Sequence, residues 1–142
     1  MARALLDTNV VLRFLTQDNL EQAEQACSLL LDAEAGRIEL VTCEGVIVEV
    51  VQVLSSETLY DLPRADIREH LDTIIGLPRV KLPNKGVFLR ALELYVQHPS
   101  LDFVDALQVA HMERQGITEI ASFDHDFDRI PGIRRLSESE PP

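Results

Sequence analysis

The sequence has no tryptophan, only two cysteines, and no long hydrophobic run. No apolar stretch approaches the roughly 20 residues that a helix needs to cross a bilayer. The opening residues, MARALLDTN, also differ from a signal peptide, because their apolar run is short and meets an acid at Asp7. We therefore expect a cytoplasmic protein.

The two cysteines, Cys27 and Cys43, form no CxxC pair, and each has apolar neighbours. We interpret both as small buried thiols. None of the four histidines shows the paired spacing that is typical of metal ligands.

Basic residues are scarce, since 13 lysines and arginines face 24 acids and the net charge is −11. This balance argues against broad, nonspecific nucleic-acid binding, which needs a basic surface to neutralise phosphates. It does not exclude a nuclease, because a carboxylate-rich site can bind a divalent metal that supplies local positive charge.

What the chain does have is a hydrophobic content of 46% over 142 residues. A domain of this size buries about 68–70% of its unfolded surface. Predicted strands at 4–6, 38–42, 79–83 and 118–123 alternate with helical segments, which favours an α/β fold with a mainly parallel sheet. We expect one domain over residues 1–136 and a flexible tail over 137–142.

Helix boundaries are predicted from capping residues. Asp18, with Glu21 in capping-box spacing, predicts a helix that ends near Gly36. The apolar face of that helix is predicted to comprise Leu20, Ala23, Cys27, Leu30 and Leu31. Asp102 predicts the start of another helix, which Gly116 ends. After Asp124 the chain is predicted to be polar and irregular.

Residues 44–56, EGVIVEVVQVLSS, permit two interpretations. Their many β-branched side chains favour a strand. The spacing of Val46, Val50, Val53 and Leu54 allows a helix, so the residues alone leave both open.

Four acids interrupt apolar segments. Asp7 and Asp124 each follow a predicted strand, where ligand sites of open parallel sheets form. Glu49 has apolar neighbours on both sides, and Asp105 would occupy the third position of the helix that Asp102 caps. Each has an ordinary explanation: a turn aspartate, the exposed stripe of a helix, or a charge that favours a helix dipole.

Taken together, the acids suggest a cluster of carboxylates at one end of a sheet. Such a cluster would repel itself unless a cation bound to it. Mg²⁺ prefers oxygen ligands and is commonly held by one or two carboxylates with substrate phosphate. This kind of site suits phosphodiester hydrolysis.

This arrangement resembles the PIN-domain ribonucleases, most closely the small VapC-type toxins. The resemblance runs from LLDTN near the start, through Glu49 in VIVEVVQVL and the DxxDAL sequence at Asp102, to Asp124 in SFDHDF. It implies a three-layer α/β/α sandwich with a mainly parallel central sheet, and a helix at residues 44–56. It also implies Mg²⁺- or Mn²⁺-dependent cleavage of single-stranded RNA.

The resemblance assigns residue roles as well. Asp7, Glu49, Asp105 and Asp124 would be the catalytic, metal-binding quartet. Supporting roles would fall to Asn9, Asp102, Ser122 and Asp126. The family further implies a homodimer and a small antitoxin protein whose tail covers the acidic pocket. Candidate phosphate contacts are Arg13, Lys81, Lys85 and Arg129.

Two other functions stay open at this point. A haloacid-dehalogenase-like phosphatase also places an aspartate after an early strand, but it needs an acid two residues later, where this chain has Asn9. A binding module without catalysis could keep the fold and a structural ion, although the intact quartet argues against it.

Overall fold

The computed structural model describes residues 2–136 of the chain. These residues form two compact units that divide between Lys85 and Gly86, here called the first and second units. Each unit is an α/β structure, and every strand pairing within the described residues is parallel. The tail predicted at residues 137–142 lies outside the described residues.

The first unit is built on a three-stranded parallel sheet in the order β1, β2, β3. Its strands are β1 (Ala2–Leu5), β2 (Ile38–Val41) and β3 (Val80–Lys81). Ala2 pairs with Ile38, and Leu40 pairs with Val80. Its helices are α1 (Thr8–Thr16), α2 (Leu20–Glu34), α3 (Glu44–Ser55) and α4 (Arg64–Ile75). Helices therefore connect all of the parallel strands, as parallel pairing requires.

The segment that the sequence left open, residues 44–56, forms helix α3. Its buried side chains are Ile47, Val50, Val51 and Leu54, which follow the i, i+3, i+4, i+7 spacing of a helix face. Burial of this face outweighs the strand preference of its β-branched residues. The helix implied by the family resemblance is confirmed.

Helix α2 corrects two predictions. Its N-cap is Asn19, not Asp18, because the helix begins at Leu20 and the Asn19 side chain accepts a hydrogen bond from the Gln22 amide at 3.0 Å. The Asp18 carboxylate instead accepts a hydrogen bond from the Tyr60 hydroxyl. The buried face consists of Ala23, Ala26, Leu30 and Ala33.

Ala23 and Leu30 of the predicted face are confirmed as buried, but two of the predicted leucines are not on it. Leu20 is 70% exposed and Leu31 is 57% exposed. The buried face is completed by the small residues Ala26 and Ala33, so hydrophobicity alone indicated only part of it. The cysteine prediction is also wrong, since Cys43 is exposed and Cys27 is partly exposed, both with free thiols.

The second unit contains α5 (Lys85–Gln97), whose first residue lies at the boundary, and α6 (Phe103–Gln115). Strand β4 (Glu119–Ala121) pairs in parallel with β5 (Arg134–Leu136). Its core includes an edge-to-face contact between the rings of Tyr95 and Phe103, with centroids 5.8 Å apart. Such pairs add a geometric preference to apolar burial.

The residues after Asp124 are more regular than predicted. A short 3₁₀ helix spans His125–Arg129, and β5 follows it. Phe127 and Ile130 are buried there, which anchors an otherwise polar segment. No helix of residues 2–136 is both long enough and apolar enough to span a membrane.

Candidate active site

Asp7 lies in the short connection between the first strand, β1, and the first helix, α1. It is the N-cap of α1, and its Oδ2 accepts a hydrogen bond from the Asn9 amide at 3.4 Å. The preceding residue is held on both sides: the Leu6 amide donates to Val41 O at 2.7 Å, and the buried Thr42 hydroxyl donates to Leu6 O at 3.2 Å. These bonds fix the backbone that carries the exposed Asp7 carboxylate.

Glu49 is joined to the same corner through Thr8. The Thr8 side chain is only 6% exposed, and its hydroxyl donates to Glu49 Oε2 at 3.2 Å. Because Thr8 directly follows Asp7, this bond brings the Glu49 carboxylate beside the residue next to Asp7. Glu49 itself lies on the exposed stripe of α3, together with Gln52.

Asp102 and Asp105 lie at the start of α6. Asp102 is the N-cap, as predicted, and its Oδ1 accepts a hydrogen bond from the Asp105 amide at 2.8 Å. Asp105 occupies the third helical position and is half-buried. Partial burial raises the pKa of the Asp105 carboxyl above its usual value, and the charges of Asp102 and Asp124 raise this pKa further.

Asp124 is held in a tight polar turn after β4. Its amide donates to the Ser122 hydroxyl at 3.0 Å, and its Oδ1 accepts from the Asp126 amide at 2.8 Å. The carboxylate thereby caps the 3₁₀ helix. Asp105 is close enough to experience the Asp124 charge, so the second unit brings Asp102, Asp105 and Asp124 together.

Arg135 on β5 contacts this turn with three nitrogen atoms. Its Nε donates to Asp128 Oδ1 at 3.1 Å, its Nη1 donates to Ser122 O at 3.2 Å, and its Nη2 lies 3.0 Å from His125 Nδ1. Together with the hydrogen bond from His125, the contact with Arg135 holds the pKa of the Asp128 carboxyl below its usual value.

The four predicted quartet residues fall into two pairs, one in each unit. Asp7 and Glu49 belong to the first unit, and Asp105 and Asp124 belong to the second. Ser122 and Asp126 hold Asp124 through backbone and hydroxyl bonds. Asn9 contributes its amide to Asp7, while its side chain lines a cleft between α1 and α2.

Three neighbours of these acids were not identified from the sequence: Thr8, Thr42 and Arg135. Of the three, Thr8 was the easiest to identify from sequence, because it is a polar residue that lies next to Asp7 within the largely apolar residues 4–15. Thr42 and Arg135 gave no such signal, because their partners depend on which strands lie side by side.

The donor atoms suit a hard divalent cation, although within residues 2–136 no three His, Cys, Asp or Glu side chains form a group that could hold a metal ion. Carboxylate oxygens are the ligands that Mg²⁺ prefers, and one or two of them commonly suffice with water and phosphate. A cation would relieve the repulsion that raises the Asp105 pKa. Asp105 and Asp124 are therefore chemically suited to hold such a cation.

The candidate phosphate contacts lie on different elements. Arg13 donates to Gln22 Oε1 at 2.8 Å, across α1 and α2. Lys85 donates to Leu77 O at 3.1 Å, and burial together with nearby Lys81 lowers the pKa of its ammonium. Lys81 and Arg129 are exposed.

Sequence comparison relates the chain to proteins of known family. The sequence profile of the PIN domain matches residues 4–133. VapC ribonuclease Mb1869c of Mycobacterium bovis and ribonuclease VapC13 of Mycobacterium tuberculosis are each 31% identical to it over 134 residues, covering 94% of this chain and 98% of theirs.

Structure comparison matches a crystal structure of Mycobacterium tuberculosis VapC20, described as a sarcin–ricin loop cleaving toxin. It is 20% identical, with a TM-score of 0.37, over 87% of this chain and 92% of that one. The PIN-domain match and the two VapC relatives extend over nearly the whole sequence, and the predicted α/β fold with parallel strands is confirmed. The chain belongs to the PIN-domain family.

Proposed function

We propose that the chain is a divalent-metal-dependent endoribonuclease that hydrolyses single-stranded RNA, and that it is the toxin of a toxin–antitoxin pair. The ribonuclease names of both curated relatives support the enzyme class. The observation that carries the mechanism is that Asp105 lies close to the charges of Asp102 and Asp124, which, after partial burial, further raise the Asp105 pKa. A fold retains such a cluster most readily when a cation offsets its charge.

We propose that Asp7, Glu49, Asp105 and Asp124 together hold Mg²⁺ or Mn²⁺. When bound, the metal supplies Lewis acidity that activates water and neutralises phosphate charge. Three of the acids use one oxygen in a hydrogen bond of the fold: Asp7 Oδ2, Glu49 Oε2 and Asp124 Oδ1. Within residues 2–136, no hydrogen bond is recorded to their other oxygens, which therefore remain available to a ligand.

The chemistry is a single displacement at phosphorus. A water oxygen forms a bond to the phosphorus atom, the bond to one ribose oxygen breaks, and the departing oxygen takes up a proton. Since there is no covalent step for a side chain to perform, the residues of the chain act by orientation and charge.

The test is cleavage of single-stranded RNA with Mg²⁺ or Mn²⁺, with and without a chelator. Asp7→Asn and Asp105→Asn should each lower kcat by at least about 100-fold, since even outer residues of metal sites cost 10–100-fold. Asp66→Asn, which removes an exposed acid in the first turn of α4, is the matched control. Cleavage by both quartet variants at the parent rate would refute the mechanism.

A small antitoxin and a second copy of the chain are the proposed partners. The VapC relatives and the acidic quartet support a partner whose basic tail covers the site. Mass spectrometry of the complex purified from its native source would identify such a partner, and light scattering of the purified chain would measure the dimer. The proposed RNA substrate implies that the protein acts in the cytoplasm.

The two other functions predict different results. A haloacid-dehalogenase-like phosphatase would form a trappable aspartyl-phosphate on Asp7, and the PIN-domain match argues against it. A binding module without catalysis would bind its partner equally well after loss of the acids and would turn over no RNA.

A further inference from the structure

We propose that Arg135 is a positioning residue that holds the Asp124 carboxylate in its working orientation. The inference rests on the proposed function, because it assumes that Asp124 belongs to the ribonuclease site. It assigns a role to the middle residue of β5, a segment that the sequence predicted to be irregular.

The contacts of Arg135 all lie within seven residues around Asp124. Its guanidinium donates to the backbone oxygen of Ser122 on one side and to Asp128 Oδ1 on the other, and its Nη2 lies 3.0 Å from His125 Nδ1. The Arg135 side chain is 14% exposed, whereas that of Asp128 is 46% exposed. A largely buried arginine therefore contacts partners that are more exposed to solvent.

These contacts reach Asp124 through two short connections. The Ser122 hydroxyl accepts a hydrogen bond from the Asp124 amide. Because Arg135 holds the Ser122 backbone, it also holds the residue that carries this acceptor. Asp128 and His125 belong to the 3₁₀ helix that Asp124 caps through the Asp126 amide. Arg135 thus holds both ends of the turn whose centre carries the carboxylate.

The geometry requires an arginine rather than any cation. A guanidinium presents five donors in a rigid plane and can bond to several acceptors at once, whereas an ammonium is a compact charge on a flexible stem. Arg135 uses separate nitrogens to donate to Asp128 and Ser122, and a third nitrogen lies beside His125. A lysine would keep the charge near Asp128 but lose the arrangement.

The neighbouring residue provides a matched control. Arg134 lies on the same strand, pairs with Glu119 of β4 at 3.2 Å, and its side chain is 56% exposed. It links the same two strands through Glu119, which lies outside residues 122–128. Arg134→Gln therefore tests the loss of positive charge and of a strand contact at the residue next to Arg135.

The experiment compares Arg135→Gln, Arg135→Lys and Arg134→Gln with the parent, each shown to be folded by circular dichroism. The first readout is hydrogen exchange of the Asp126 amide by NMR, without metal or RNA, because this amide bonds to Asp124 Oδ1. Exchange should accelerate at least about tenfold in both Arg135 variants and stay unchanged in Arg134→Gln.

The second readout separates kcat from KM for RNA cleavage. Both Arg135 variants should lose about 10–100-fold in kcat, the range typical of residues that orient metal ligands, with KM nearly unchanged. A purely structural role would lower the melting temperature while leaving kcat unchanged in the folded protein.

Parent-like Asp126 exchange in a folded Arg135 variant overturns the inference, and so does accelerated exchange with a parent-like kcat. If Arg135→Gln does not fold, Arg135→Lys decides by the same criteria. If the parent cleaves no RNA, the ribonuclease proposal fails, while the exchange measurement still decides whether Arg135 holds Asp124.

Discussion

The Thr8 hydroxyl has a single proton, and it donates this proton in a hydrogen bond to Glu49. Because Thr8 is buried, water competes poorly for this bond, and Glu49 Oε2 stays directed toward α1. The bond therefore selects which Glu49 oxygen faces outward. At the residue scale, Glu49, one member of the predicted quartet, is oriented by Thr8, which is not a member of the quartet.

Replacing Thr8 by valine tests this orientation. Thr8→Val preserves the shape of the side chain but removes the donor, so kcat should fall about 10–100-fold. The free energy of unfolding should fall by no more than about 1.5 kcal/mol, the usual contribution of one hydrogen bond. Cleavage kinetics and urea denaturation measure the two effects.

Two variants accompany this test. Thr8→Ser keeps the hydroxyl and should retain most activity. Thr73→Val removes a hydroxyl that donates to Glu69 O within α4 and should leave kcat unchanged. An active Thr8→Val variant would show that Glu49 needs no orientation by Thr8.

Asp105 gives a prediction about pH. Its folded-state pKa is raised by burial and by the charges of Asp102 and Asp124, so the folded chain holds this proton more tightly than the unfolded chain. The cost of ionising Asp105 is absent below the unfolded pKa of about 3.9. It is fully present above the folded pKa, so this group lowers stability as pH rises through the window between the two.

Asp105→Asn removes that cost. In the presence of a chelator, the variant should be more stable than the parent at pH 7, and the difference should disappear near pH 3 where both side chains are neutral. Urea denaturation at several pH values measures this. A variant less stable than the parent at pH 7 would mean that the favourable helix-dipole interaction of Asp105 exceeds the repulsion.

At the scale of elements, three of the predicted site acids lie at the N-terminus of a helix. Asp7 caps α1, Asp102 caps α6, and Asp124 caps the 3₁₀ helix. A capping carboxylate already accepts an amide hydrogen bond and lies at the positive end of a helix dipole. The same position therefore reduces the cost of gathering acids that will later bind a cation.

Two substitutions of Asp102 separate the stabilising effect of its helix cap from the effect of its charge. Asp102→Ala should lower the free energy of unfolding by about 0.5–2 kcal/mol relative to Asp102→Asn, because asparagine caps helices about as well as aspartate. Both variants relieve the repulsion on Asp105 equally, so their difference isolates the cap. Equal stability in urea denaturation would show that the hydrogen bond to the Asp105 amide contributes nothing.

Element boundaries were predictable where a local chemical signal existed. Asp102 and Gly116 bound α6, as their capping roles predict. The face of α2 was only partly predictable, because its alanines are selected by close packing rather than by hydrophobicity. The state of α3 was likewise decided by burial of Ile47, Val50 and Leu54.

At the scale of the whole molecule, the net charge of −11 determines how RNA must be bound. A nuclease that makes 6–10 phosphate contacts with basic residues loses about 10³–10⁵ in affinity between 50 and 200 mM salt. This chain has few lysines and arginines with which to make such contacts, so its affinity should depend mainly on the metal.

We therefore expect kcat/KM for RNA to fall less than about tenfold between 50 and 200 mM KCl at constant, saturating Mg²⁺. Initial cleavage rates across this range measure the dependence. A steep decline would reveal a basic binding surface, and Arg13, Lys81 and Arg129 would then be the first residues to replace.

The sequence by itself determined the family, the alternation of strands and helices, and the order of the four acids. The alternation and the order of the acids follow from local periodicity, capping chemistry and the spacing of polar residues in apolar runs, whereas the family follows from the resemblance of the motifs to those of known members. The domain organisation and the roles of the quartet stay predictions.

Only the tertiary structure decided which side chains hold those acids. Thr8 meets Glu49 across 41 positions, Thr42 meets Leu6 across 36, and Arg135 meets Ser122 across 13. Such partners depend on strand pairing and helix packing, which bring distant residues within hydrogen-bonding range. The LLDTN motif therefore indicates where a site begins, whereas the packing around it determines how each carboxylate is directed.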